Sequence, residues 1–237
     1  MSVKSVVRSY WDLRSQTYDR TVHKSENGAK NFWKDALRDT IRMDRNLNIL
    51  DVGTGTGFLA LIFAEMGHKV TGIDISRCML EKSRNKADKL RLAVDFMHGD
   101  AENLPFEDET FDIVVNRYLL WTMPDPEHAI DEWSRVVKSG GKLVLIDGKW
   151  HDSTIDMRLR RLFNKMKALI TEKRNPLIFE RYYYNIRCKL PLFVGSTPED
   201  VADLFTGVGL RNVSVDHLER LREFENKPSL FLALGEK

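Results

Sequence analysis

Between about residues 46 and 147, short apolar runs alternate with segments whose apolar positions recur at helical spacing. "LNILDV" (47–52) reads as a buried strand, and "FLALIFAEM" (58–66) as a helix that Gly67 closes. "HKVTGID" (68–74) is a second strand. "SRCMLEKSRNKADKL" (76–90) is a second helix with Ser76 as N-cap. "AVDFMHG" (93–99) and "FDIVVN" (111–116) are the third and fourth strands. "PEHAIDEWSRVV" (126–137) is a helix, and "GKLVLID" (141–147) is the fifth strand. Strands apolar on both faces, separated by helices, predict a doubly wound α/β domain with a parallel sheet between two helical layers. Downstream, "PEDVADLFTGVGL" (198–210) predicts a helix with Thr197 as N-cap. "VSVDHLERL" (213–221) and "SLFLALGE" (229–236) predict a C-terminal antiparallel pair, which brings the sheet to seven strands.

Two segments fall outside this alternation. Residues 1–45, with "YWDLRSQTYD" (10–19), read as one or two helices packed over the sheet edge as a lid. Residues 148–197 read as an insertion that covers an acceptor pocket, beginning with an amphipathic helix over 154–173. The remaining units are a core over 46–147 and a C-terminal helix with strands over 198–237, all in one domain.

In open parallel sheets, ligands bind at the carboxyl ends of the strands. Here those ends are polar: Asp51, Asp74, Asp100, Asn116 and Asp147 close successive strands. One such residue is commonly a turn former or cap. Five along one edge describe a rim that hydrogen-bonds hydroxyls and amines. The first strand runs into "LDVGTGTGF" (50–58), whose glycines Gly53, Gly55 and Gly57 bracket Thr54. The dinucleotide pattern GxGxxG would need glycine where Phe58 stands. Asp51 beside the turn repels a pyrophosphate and suits a cationic ligand. S-adenosylmethionine, with a sulfonium, an ammonium and one carboxylate, meets that requirement. Asp74, 17 residues after Gly57, is placed for ribose hydroxyls of either nucleotide. No GxxxxGK phosphate loop is present.

"ILDVGTGTGFLALIFAEMGHKVTGIDIS", "GDAENLPFEDETFDIVVNRYLLW" and "EWSRVVKSGGKLVLID" together resemble the successive motifs of class I S-adenosylmethionine-dependent methyltransferases. The similarity is to the small-molecule branch that includes quinone-biosynthesis enzymes, and it covers residues 46–147. It implies a Rossmann-like methyltransferase fold. It also implies roles. Asp51, Gly53, Thr54, Gly55 and Gly57 would face the methionine part of the cofactor. Asp74 would hold the ribose and Ile75 the adenine. Asp100, beside Ala101, would accept from the adenine amino group. Asn116 would border the sulfonium, and Tyr18 would close over the cofactor, with Tyr10 a second candidate. "NRYL" (116–119) departs from the NPPY-type motif of enzymes that methylate adenine or glutamine amino groups.

The chain has 237 residues, of which 42% are hydrophobic and 30% charged, and its net charge is +2. That balance does not call for nucleic acid. The two cysteines, Cys78 and Cys188, have no metal-type spacing, so no metal site is expected. With no apolar run of membrane-spanning length and a polar start, the expectation is a cytoplasmic protein. Residues 148–197 hold eleven Lys and Arg against four acids, a local charge of +7 against −5 elsewhere. With Tyr182, Tyr183, Tyr184 and Arg187, and with Trp121 from "YLLW", this segment is expected to touch an anionic or aromatic small-molecule acceptor. His151 is the candidate general base. A solvated basic face, a surface for an anionic membrane or for RNA, a cofactor-binding module without catalysis and an NAD-dependent oxidoreductase stay open as alternatives.

Overall fold

The computed structural model describes residues 2–41, 46–149, 175, 177–219 and 230–237, with side chains described outside 20–29. In chain order the elements are α1 (Val3–Ile41), β1 (Asn48–Val52), α2 (Phe58–Glu65), β2 (Lys69–Asp74), α3 (Arg77–Leu90), β3 (Asp95–His98), β4 (Phe111–Arg117), α4 (Pro126–Val136), β5 (Val137–Gly148), α5 (Ile178–Tyr183), α6 (Pro198–Gly207), β6 (Arg211–His217) and β7 (Leu230–Glu236). The strands form one sheet of seven in the order β3-β2-β1-β4-β5-β7-β6. The first five are parallel, and β7 runs antiparallel between β5 and β6. This is the expected mixed α/β architecture.

Period-two alternation along the strands divides the core between the two faces. Ile49, Ile113, Val115, Val144, Ile146 and Leu232 face the layer formed by α2 and the C-terminal part of α1, where Trp33 and Leu37 are fully buried. Leu50, Val114, Leu143, Leu145, Phe231 and Ala233 face α4 and α6, which supply Trp133 and Phe205. Fully burying each aliphatic side chain of this kind contributes roughly 1.5–3 kcal/mol. The caps follow the sequence: Ser76 accepts from the Met79 amide, and Thr197 with Asp200 forms a capping box on α6.

The structure selects one of the two N-terminal alternatives and differs from the sequence reading at the start of β5. The N-terminal segment is one helix of 39 residues, because it holds no proline and a single glycine, Gly28. At 1.5 Å per residue it is roughly 58 Å long, so it lies on the sheet face at one end and reaches the strand-end rim at the other. β5 begins at Val137 rather than 141, pairing with Phe111 ahead of a bulge that Gly140 (φ 73°) accommodates. In the insertion, the described helix is the short α5. The amphipathic helix expected over 154–173 and the candidate base His151 lie outside the described residues.

Candidate active site

The strand ends converge on a cavity of ≈ 380 Å³. Its lining follows the sheet order. Gly99, Asp100, Ala101 and Glu102 come from the segment after β3, and Asp74 and Ile75 from the end of β2. Gly53 and Gly55 follow β1, and Arg117, Tyr118 and Leu119 end β4. The N-terminal half of α1 closes the opposite side with Lys4, Val7, Trp11 and Tyr18.

The turn after β1 is built by backbone conformation. Gly53, Gly55 and Gly57 all have positive φ (68°, 56° and 84°), a region that costs side-chain-bearing residues strain. A Cβ on Gly53 would also stand 2.6 Å from Leu119 Cδ1. Gly57 is the N-cap of α2 and offers no side-chain acceptor. Asp51 takes that part from below: its Oδ2 accepts from the Ala60 amide at 3.1 Å and from Thr54 Oγ1 at 2.7 Å. Burial pushes the Asp51 carboxyl up to about 7, against the lowering effect of those hydrogen bonds and of Arg117. An α2 amide that a pyrophosphate would use is therefore already bound by a carboxylate.

Asp74 faces the cavity with each carboxylate oxygen bound to one backbone amide, Gly55 N to Oδ2 and Ser76 N to Oδ1, both at 2.8 Å. Each oxygen keeps a further lone pair for a hydroxyl. Burial, with Asp12 nearby, pushes this carboxyl up to about 6. Asp12 is on α1 and accepts from Ser76 Oγ at 2.7 Å, tying the helix to the end of β2. At the β3 end, Lys4 Nζ lies 2.6 Å from both Asp100 Oδ2 and Glu102 Oε2. Burial would lower the Lys4 ammonium, but the hydrogen bonds to the two carboxylates raise it overall. The Ala101 carbonyl accepts from Trp133 Nε1 at 2.8 Å, which fixes this segment to the core.

Aromatic rings form the remaining wall. Trp11, Trp121, Phe179 and Phe193 line the cavity. Trp121 Nε1 donates to the Tyr118 carbonyl at 2.9 Å, and Phe179 stacks on Phe193 with centroids 5.9 Å apart. Behind them Tyr183 is buried and stacks on Phe179 at 4.7 Å.

The cavity thus brings together Tyr18, Gly53, Gly55, Asp74, Ile75, Asp100, Ala101 and Trp121 from the sequence candidates. Asp51, Thr54 and Gly57 lie beneath the turn rather than on the lining. Asn116 is fully buried, and neither of its amide atoms has a hydrogen-bond partner. Tyr10 is buried and packs edge-on to Tyr183 and Phe179. Tyr182 packs on Tyr10, while Tyr184 is 67% exposed and carries Arg187 over its ring at 5.2 Å; none of these three lines the cavity. Lys4, Asp12, Arg117, Phe179 and Phe193 were not among the sequence candidates. Lys4, Asp12, Phe179 and Phe193 had no local signal, whereas Arg117 directly follows Asn116 at the carboxyl end of the fourth strand.

Residues 50–145 match the family model described as "Methyltransferase domain". Over these residues the chain is similar to S-adenosylmethionine-dependent methyltransferases. Among curated relatives, a demethylmenaquinone methyltransferase from Chlorobaculum tepidum is 34% identical over 149 residues, 61% of this chain and 60% of that protein. A ubiquinone/menaquinone biosynthesis C-methyltransferase UbiE from a Ruegeria species is 32% identical over 146 residues, 60% of this chain and 55% of that one. The chain therefore matches only about 60% of the length of such relatives. Among solved structures, a methyltransferase from Aquifex aeolicus superposes with a TM-score of 0.59 at 19% identity, covering 85% of this chain and 88% of that one. Phosphoethanolamine N-methyltransferase 2 from Haemonchus contortus superposes with a TM-score of 0.63 at 17% identity over 86% of this chain and 52% of that one. At such identities the likeness concerns the fold. Among the described residues, no helix is long and apolar enough to cross a membrane.

Proposed function

We propose that the protein transfers a methyl group from S-adenosylmethionine to a small aromatic acceptor of the quinol type. The observation that carries the reading is the cavity itself: carboxylates on one side, aromatic rings on the other, and Asp51 occupying the helix amide that a dinucleotide would need. The donor set fits an adenosine with a cationic tail. In this reading Asp74 holds both ribose hydroxyls, Asp100 shares its carboxylate between Lys4 and the adenine amino group, and Ile75 packs on the base. Tyr18 and the rest of the N-terminal half of α1 act as a lid, anchored by Asp12 to Ser76 and by Lys86 to Asp19 at 2.8 Å. The cofactor supplies an already activated methyl group. The chain's task is then alignment of the acceptor and exclusion of water. Trp11, Trp121, Phe179 and Phe193 provide flat faces that orient a ring and keep water out. The quinone-biosynthesis relatives support the same class of acceptor.

The test is transfer of a labelled methyl group from S-adenosylmethionine to demethylated quinols, simple phenols and alkylamines, read by mass spectrometry. The expected result is label in the aromatic acceptors with stoichiometric S-adenosylhomocysteine. Label only in the alkylamines would overturn the acceptor class.

A further inference from the structure

We propose that Arg117 holds the carboxylate of the cofactor's methionine tail. The proposal rests on the cofactor reading above and gives the site a further residue. Sheet order sets the direction of the ligand: with ribose at Asp74 on β2 and the adenine amino group toward Asp100 after β3, the tail must run toward β1 and β4. Two basic side chains line the cavity among the described residues, Lys4 and Arg117. Lys4 stands at the β3 end, held by Asp100 and Glu102. Arg117 stands at the β4 end, where the tail arrives.

The setting of Arg117 suits recognition of a carboxylate. Its guanidinium carbon lies 4.0 Å from the ring centroid of Phe58, 4.9 Å from Tyr118 and 5.5 Å from Trp33. Three rings around a planar cation hold its orientation and limit its hydration, which favours a two-point pairing with a carboxylate. Phe58 is the first residue of α2, so the guanidinium stands beside the glycine turn. Asp51 also feels its charge, but two hydrogen bonds from Thr54 and Ala60 already hold that carboxyl.

Calorimetry with three ligands on wild type, Arg117→Met and Arg117→Lys separates the roles. S-adenosylhomocysteine carries the tail carboxylate, decarboxylated S-adenosylmethionine lacks it, and methylthioadenosine lacks the amino-acid tail. Losing a buried charge-assisted pair should weaken S-adenosylhomocysteine roughly tenfold to a hundredfold in Arg117→Met. Arg117→Lys should fall between, since a lysine keeps the charge without the planar fork. Affinity for the two carboxylate-free ligands should change less than about twofold, counted as a small part of the same pairing energy. Parallel losses for all three ligands, or no loss for any, would overturn the proposal while leaving the cofactor reading intact. Failure of the wild type to bind any of the three would overturn both. Should Arg117→Met not fold, Arg117→Lys gives the same ligand-dependent readout.

Discussion

Binding of S-adenosylhomocysteine should strengthen as pH rises through about 6, because Asp74 must be ionised to accept two ribose hydroxyls. Its free-protein carboxyl sits at about 6, raised first by burial and then by Asp12, and lowered only in part by the Gly55 and Ser76 amides. At about pH 5 roughly one molecule in ten carries the carboxylate, and at about pH 7 roughly nine in ten. The apparent Kd should therefore fall roughly tenfold between them, about 1.4 kcal/mol. The ligand's own α-carboxyl and α-amino groups, near about 3.5 and about 8, keep their charges over this window. Titration calorimetry in two buffers of different ionisation enthalpy gives a second readout, since binding should release protons near about pH 5.5. Asp74→Asn, of the same shape but unable to ionise, should bind weakly and without this slope. Asp51, held at about 7, also titrates near the window, so the series is repeated in an Asp51→Asn background. A pH-independent Kd in the wild type, or an equal slope in Asp74→Asn, would refute the assignment of Asp74.

Gly53→Ala should lower stability by roughly 1–3 kcal/mol, from positive φ together with the 2.6 Å approach to Leu119, and abolish measurable S-adenosylhomocysteine binding; normal melting and binding would show that the turn tolerates a side chain. The buried Asp51 carboxyl, raised from 3.8 to about 7, makes the wild type lose stability as pH rises between those values and level off above, by up to about 4 kcal/mol. Chemical denaturation should then show Asp51→Asn gaining on the wild type across that interval, and a constant difference would contradict the burial of an ionisable Asp51. Trp121→Leu removes a cavity wall that stands apart from the ribose and adenine contacts. It should lower kcat/KM for an aromatic acceptor at least roughly tenfold while leaving S-adenosylhomocysteine affinity within about twofold, the loss expected for one stacking ring. Equal effects on acceptor and cofactor would remove Trp121 from the acceptor wall.

The strand ends were legible because three independent patterns coincide there: the end of an apolar run, a helix start, and a polar or glycine residue between them. Asp74, Ile75, Asp100 and Ala101 accordingly line the cavity. Asp51 was legible as the polar residue near the end of the first strand, but its orientation beneath the turn was not. Gly57 gives α2 no side-chain cap, and the fold uses Asp51 to supply one. The three tyrosines at 182–184 read as a block, but consecutive helical positions point about 100° apart, so they cannot all face one cavity. Tyr183 goes inward and Tyr184 outward. Lys4 and Asp12 were invisible for a different reason. Their partners lie 96 and 64 residues away, and only the tertiary fold brings α1 over β2 and β3. Phe179 and Phe193 likewise become wall residues through packing against Trp121, not through any local pattern.

The most direct measurement is calorimetric binding of S-adenosylhomocysteine and of NAD to the wild-type chain and to Asp74→Ala. The account predicts that the wild type binds S-adenosylhomocysteine and not NAD. It also predicts at least a roughly tenfold loss in the variant, the effect of removing buried hydroxyl hydrogen bonds worth about 1 kcal/mol or more each. Preferential binding of NAD, or S-adenosylhomocysteine affinity unchanged by Asp74→Ala, would contradict it.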